Sequence, residues 1–472
     1  MSSKGAFGSA HDRPLSAHDR KEEAALQRVS KFVFLWALLS SCLVRTFVST
    51  VSASEDAKFC DRYREVSIGA ILEGSDPFAL RCALAGKLGD RALTADQALA
   101  AETLLNLFEV NNGAGIVGAL RYLEGRAESS DTLCNKISRE LRRAYLLEGN
   151  YAAYVRLRAA SCSEMAQAVQ GIRSGPKQST KASRIGVQAR LKLKTLPTGH
   201  RFVEATAADT AIEMIIDTGS EVSLVPRSLA QELGFQRLGA EQGVAVSLSG
   251  NFSGYFALSP VLQLGEMTVE HLIFFVIDDD PKTRKFFGDR PVLGLNALIA
   301  AGGATFLGRE DALILGRPAK SQRCWRNRDE MFIMNGRPYL TAHFETGPAL
   351  AFFDTGINYN AGFAPPVGFY ADELRVISHS GFYAPNDNAL IQGGTFTGVR
   401  RARFSLAEQE LTIRDLPIFR LKAGGKLGAT LWLGAPLVER LDVLMLDFES
   451  MTFSVEKKQS EISAACLQFA AD

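Results

Sequence analysis

Histidine and cysteine are both scarce in this chain, with six and seven residues among 472. No His-x-x-x-His or Cys-x-x-Cys spacing occurs, so a zinc site or a dithiol centre lacks its usual framework. There is no His-Glu-x-x-His and no Gly-x-Ser-x-Gly, so metallohydrolase and serine-hydrolase chemistry lack their motifs. Excess charge is missing too. The net charge is +1, which gives no basis for a nucleic-acid partner. No apolar run reaches the ~20 residues of a membrane-spanning helix.

The longest apolar stretch, Phe32 to Val44, is broken only by two serines and is preceded by Arg28 and Lys31. Its length suits a signal-peptide core of roughly 7–15 residues, with Val51-Ser52-Ala53 as a cleavage site. If the run extends across Arg45 to Val51 and stays uncut, it is a single-pass anchor with its N-terminus in the cytoplasm. Either way the rest of the chain is expected to be exported, to a periplasm or to the outside. Residues 1–31 are polar and repeat Ser-Ala-His-Asp-Arg at 9–13 and 16–20, which reads as a disordered leader rather than a metal site. Export gives the cysteines a meaning. Beyond Cys42 there are six, Cys60, Cys82, Cys134, Cys162, Cys324 and Cys466, an even number that suits disulfides. Pairing within the helical region, and of Cys324 with Cys466, is the expectation.

Residues 58–171 are rich in Ala, Leu, Glu and Arg, and Ala98, Ala101, Leu104, Leu105 and Phe108 recur at helical spacing. Breaks near Gly74-Ser75-Asp76-Pro77, Asn111-Asn112-Gly113 and Ser129-Ser130-Asp131 imply antiparallel helix pairs. Such a region would dock a protein partner, cover another domain as a pro-segment, or act as a spacer. Gly113-Ala114-Gly115-Ile116-Val117-Gly118 matches the dinucleotide fingerprint, but a helical pattern precedes it where a strand is required. The stretch is expected to be a turn between helices. The polar residues 172–195 read as an exposed linker, which is where cleavage would release an inhibitory helical part.

Past the linker, Asp-Thr-Gly occurs twice, at 217–219 and 354–356. Chance places one such tripeptide in roughly one chain of this length in ten, so one copy means little. Here the contexts repeat as well. Each Asp ends an apolar run, Met214-Ile215-Ile216 or Ala351-Phe352-Phe353. Upstream, Arg201-Phe202-Val203 and Pro338-Tyr339-Leu340 read as strands, each followed by a turn and a second strand. Downstream, Phe252-Ser253-Gly254 matches Phe396-Thr397-Gly398, with small residues before each as at a hairpin tip. Both halves then carry an apolar-Leu-Gly stretch, Val292-Leu293-Gly294-Leu295 and Leu431-Trp432-Leu433-Gly434.

These residues resemble the clan of pepsin and retropepsin, and within it the retropepsin-like (retroviral-type) aspartic proteases, here with both halves in one chain. Asp217-Thr218-Gly219-Ser220, Ser223-Leu224-Val225-Pro226 and Leu293-Gly294-Leu295-Asn296 carry the likeness. The second half departs from the pattern at Ile357 and Pro436. The resemblance covers about 196–456 and implies a mainly β, bilobal aspartic-protease fold with lobes at 196–318 and 330–456; the all-α helical domain read above precedes it and a tail at 457–472 follows. The resemblance implies that Asp217 and Asp354 are the catalytic pair. Thr218, Gly219, Ser220, Thr355 and Gly356 would support the two loops. Gly250, Phe252, Gly254, Gly394, Phe396 and Gly398 would form substrate-binding flaps. No metal or cofactor is called for, and the substrate is a polypeptide. Two close carboxylates hold one proton between them, and together they activate a water. Ser220, which can donate to Asp217 where Ile357 cannot donate to Asp354, makes Asp217 the expected ionised partner. The rival reading is an inactive, protease-like module that binds peptides, with the helical domain docking a partner.

Overall fold

The structure is a computed structural model that describes residues 59–74, 76–89, 91–125, 132–174, 183–185, 188–197, 199–239, 243–247, 250–279, 289–317, 327–345, 347–356, 361–363, 376–379, 396–418 and 431–456. Two compact units are distinguished, Met1–Arg64 and Glu65–Asp472. Of the first, only a helical turn and the residues after it, 59–64, are described. The apolar run read as signal or anchor, the leader and the C-terminal tail lie outside the described residues. Among the described residues no helix is long and apolar enough to cross a membrane.

Among its described residues the second unit opens with seven α-helices. They are α1 (Ile68–Glu73), α2 (Pro77–Leu84), α3 (Ala95–Phe108), α4 (Asn112–Glu124), α5 (Thr132–Leu147), α6 (Tyr151–Ala159) and α7 (Met165–Ser174). Their starts follow from short polar side chains that hold otherwise unpaired amides. Asp76 accepts from Phe78 N–H at 2.9 Å with Pro77 in the first turn, Thr94 and Gln97 form a capping box on α3, and Asn150 accepts from Ala153 N–H. Leu104, Phe108, Leu123, Ile137, Leu141 and Leu157 are fully buried between them. A disulfide joins Cys134 to Cys162, and Cys60 and Cys82 are also disulfide-bonded. Cys324 and Cys466 lie outside the described residues.

The glycine-rich fingerprint is not a turn, as the sequence suggested; it is the start of α4. A Cβ at Gly118 would fall 2.6 Å from Thr103 Oγ1, and one at Gly115 would fall 2.9 Å from the Leu107 side chain. The glycines let α4 lie close against α3, so their spacing records helix packing and not phosphate binding.

The β region starts earlier than composition indicated. Helix α7 runs to Ser174, and the segment read as linker contains strands. Gln188–Lys192 pairs with Ala312–Gly316, and Ser183–Ile185 pairs with Met267–Glu270. Their partners are distant in sequence.

Beyond this the chain forms two extensive curled sheets, and the same strand order appears in each. In the first, Arg201–Ala207 and Thr210–Ile216 make a hairpin. Its two-residue turn, Ala208 and Asp209, has φ of 47° and 61°, as a tight hairpin needs. Thr210–Ile216 then lies parallel to Val292–Leu293, Val292 opposes Leu224 of Ser223–Pro226, and Ser223–Pro226 runs parallel to Ile273–Ile277. In the second sheet Arg337–Phe344 and Gly347–Asp354 make the hairpin. Gly347–Asp354 lies parallel to Leu431–Gly434, which runs antiparallel to Ala361–Phe363. A short helix follows each apolar-Leu-Gly strand, at Leu295–Ala301 and Ala435–Arg440. Both Asp-Thr-Gly loops therefore leave an interior strand at the same topological point. One apolar core runs through both halves, and Phe306, Phe353, Leu433 and Phe453 are fully buried in it.

Candidate active site

Each Asp-Thr-Gly is delivered by a strand whose buried residues fix its position. Ile215 and Ile216 are held against Val292 and Leu293, and Phe352 and Phe353 against Trp432 and Leu433. Beyond those strands, the two threonines interlock. Thr218 N–H donates to Thr355 Oγ1 and Thr355 N–H donates to Thr218 Oγ1, both at 3.0 Å. Each hydroxyl donates onward to the opposite half, Thr218 to the Phe353 carbonyl and Thr355 to the Ile216 carbonyl, both at 2.9 Å. These four bonds satisfy every polar atom of two fully buried hydroxyls.

The lock brings Asp217 and Asp354 into direct hydrogen-bond contact. The glycines explain how they come so close. A Cβ on Gly219 would collide with the Asp354 carboxyl, and one on Gly356 would fall 2.7 Å from Asp217 Oδ1. Each loop thus supplies its own acid and clears room for the other. Asp217 accepts two backbone N–H bonds, from Gly219 at 2.9 Å and Ser220 at 3.2 Å. Asp354 accepts one from Gly356, at 2.8 Å.

Burial pushes both carboxyls above the ordinary Asp range. Asp354 goes furthest, because the Asp217 charge adds to its burial. On Asp217 the bond from Asp354 and the Gly219 and Ser220 amides pull the other way. Burial and the Asp217 charge together favour the shared proton on the Asp354 side. The direction matches the expectation, but the cause differs. The Ser220 hydroxyl donates to the Val222 carbonyl at 3.2 Å, and it is the Ser220 backbone amide that reaches Asp217. Ile357 lies outside the described residues.

The other candidate residues fall in different places. Gly250, Phe252 and Gly254 sit on the strand Gly250–Leu258, which pairs with Gly243–Ser247 as a hairpin. Phe252 is turned into an apolar cluster with Val222, Leu224 and Phe275. Gly254 faces Ile277 inside the sheet, where a side chain would strike the Val276 carbonyl. Phe396 and Gly398 pair with His379 and Ile377 of an antiparallel strand, and Gly394 lies outside the described residues.

Two residues near the acids had not been singled out. His200 faces Asp217 and bonds the Gly356 backbone; its burial lowers its pKa despite both contacts. The Arg337 charge acts on Asp354, and its guanidinium lies 5.4 Å from the centre of the Phe352 ring. Aligning the halves one residue further upstream would have found both, since His200 and Arg337 stand at the same distance before their aspartates.

Behind the first acid, Asn296 ties the loop to its support. Its Oδ1 accepts from the Ser223 amide and hydroxyl, each at 2.8 Å, and its Nδ2 donates to the Ile273 carbonyl at 2.8 Å. A cleft of about 900 Å³ lies elsewhere, lined by residues such as Arg81, Arg184, Arg317 and Glu449, none of them part of this site. Chemically, the paired acids can share a proton, take one from a water and give one to a carbonyl.

Residues 203–318 match a family model described as aspartyl protease. The match spans Asp217 and the first half and ends before Asp354. It supports an aspartic-protease-like family and a hydrolase. None of the curated proteins matches the chain.

Proposed function

We propose that the protein is an exported aspartic endopeptidase, a single chain whose two retropepsin-like lobes each supply one catalytic acid. The observation that carries this reading is the reciprocal threonine lock, which sets Asp217 and Asp354 in hydrogen-bond contact at the junction of two repeated halves. Asp217, ionised, accepts a proton from the attacking water. Asp354, protonated, donates to the scissile carbonyl, and the roles exchange as the amine leaves. The strand pairs Gly243–Ser247 with Gly250–Leu258, and Val376–His379 with Phe396–Leu406, carry the residues that would receive an extended polypeptide. The Cys134–Cys162 disulfide supports an oxidising compartment outside the cytoplasm.

The test is cleavage of a peptide library across acidic and neutral pH by the wild type, Asp217→Asn and Asp354→Asn. Turnover by the wild type and its loss in each variant is the expected result. Peptide binding without cleavage at any pH would replace this reading with a peptide-binding module.

A further inference from the structure

The helical region touches the catalytic loop of the first half through one mostly buried arginine. Arg143, on the last turns of α5, donates from Nε to Glu221 at 3.3 Å and from Nη1 to Glu140 at 2.9 Å and to Asn335 at 3.4 Å. Glu221 lies in the turn just after Asp-Thr-Gly, next to the Ser220 amide that binds Asp217. Asn335 belongs to the turn joining Arg328–Met334 to Arg337–Phe344 in the second half. Its own amide donates to Glu140 at 3.3 Å. At the neighbouring Gly336 a Cβ would collide with the Glu221 side chain. One guanidinium therefore holds a helix, the first catalytic loop and a hairpin of the second half together. Alongside it, Leu146 packs with Val222 and Leu224, and Tyr151 and Tyr154 lie 5.6 and 5.4 Å from Phe256.

From this geometry we infer that Arg143 is a positioning residue of the catalytic pair, and that the helical region is a working part of the enzyme and not a removable cover. The inference rests on the protease reading above. Fixing Glu221 fixes the loop whose Gly219 and Ser220 amides hold Asp217 in its ionised form. The groups facing Asp217 are Asp354 from the second half, His200 from the strand entry, and those two amides. Arg337 acts on Asp354. Removing Arg143 loosens the amides and leaves the Glu140 and Glu221 charges without this cation. Both changes favour protonation of Asp217, so the acid limb of the rate profile moves to higher pH.

The experiment measures kcat and KM against pH in the full chain for the wild type, Arg143→Ala and Arg143→Lys, with thermal unfolding alongside. Arg309→Ala serves as a control; it breaks an ion pair to buried Asp442 that involves neither acid nor the groups facing them. Arg143→Ala is expected to lower kcat by about 10- to 100-fold with little change in KM. Its acid limb should shift upward. Arg143→Lys keeps the charge but not the three-way fork, so it should recover part of both effects. Arg309→Ala should lose stability without moving the profile. A folded Arg143→Ala with wild-type kcat and acid limb overturns the inference. Should that variant fail to fold, a wild-type profile in Arg143→Lys overturns it equally. A wild type that cleaves nothing would instead remove the protease reading.

Discussion

A threonine hydroxyl does two things at each of positions 218 and 355: it accepts an amide proton from the opposite loop and donates to a carbonyl behind it. Valine has nearly the same shape and neither function. Thr355→Val leaves the Thr218 amide and the Ile216 carbonyl without this partner in a dry interior, at a cost of about 2–4 kcal/mol. Denaturant unfolding should register that loss, and kcat should fall more than KM, because the lock sets the distance between the acids. The acids themselves predict a pH effect on stability. Asp354 is raised well above its ordinary value by burial and by the Asp217 charge. The folded protein thus keeps a proton that the unfolded chain releases above about pH 4. This contribution is fully present below the unfolded pKa and is lost as pH rises towards the folded one. Asp354→Asn cannot titrate there. Its unfolding temperature should fall off less steeply between about pH 4 and neutrality than that of the wild type, making it the more stable protein at neutral pH. Parallel curves for the two proteins would mean that Asp354 does not hold the proton.

At the level of elements, the strand that ends in each Asp and the apolar strand beside it were legible, because both are buried on two faces and read as short apolar runs. Asn296 was legible as part of Leu-Gly-x-Asn, and the structure gives it a task. It spans the catalytic turn and the strand Ile273–Ile277 with three buried bonds. Asn296→Ala would leave three polar groups without that partner, costing about 3 kcal/mol or more. Differential scanning calorimetry should show the lower unfolding temperature, together with reduced kcat. Less legible were the strands formed by Gln188–Lys192 and Ser183–Ile185. Polar and basic residues there alternate with single apolar ones over only three to five positions, and their partner edges are supplied from far along the chain. The fingerprint at 113–118 misled for a related reason. Glycine spacing records close approach of backbone, and the approaching partner here is α3, which sequence does not place. The Ser220 hydroxyl was assigned to the right loop and the wrong acceptor, since residue type does not fix a rotamer.

On the scale of the whole molecule, the helical region and the β region share polar and aromatic contacts at more than one point. Arg143 joins α5 to Glu221 and Asn335, and Phe78 of α2 meets Phe332 edge-on at 5.7 Å. Arg81 bridges Glu109 and Glu330 beside that ring. The order of the helices should therefore govern the acids, and the Cys134–Cys162 disulfide is the lever for testing this. It closes a separation of 28 residues from the start of α5 to the short helix before α7. A loop of that size removes enough unfolded-chain freedom to stabilise by roughly 3–4 kcal/mol in the chain-entropy view. Replacing both residues by Ser should lower the unfolding temperature. Because α5 carries Arg143, it should also lower peptide cleavage at temperatures where the β region remains folded, as read by hydrogen exchange of its strands. A pro-segment would give the opposite sign, since loosening a cover raises turnover. The direction of the change in kcat/KM, measured on the full chain with the β strands still protected, separates the two.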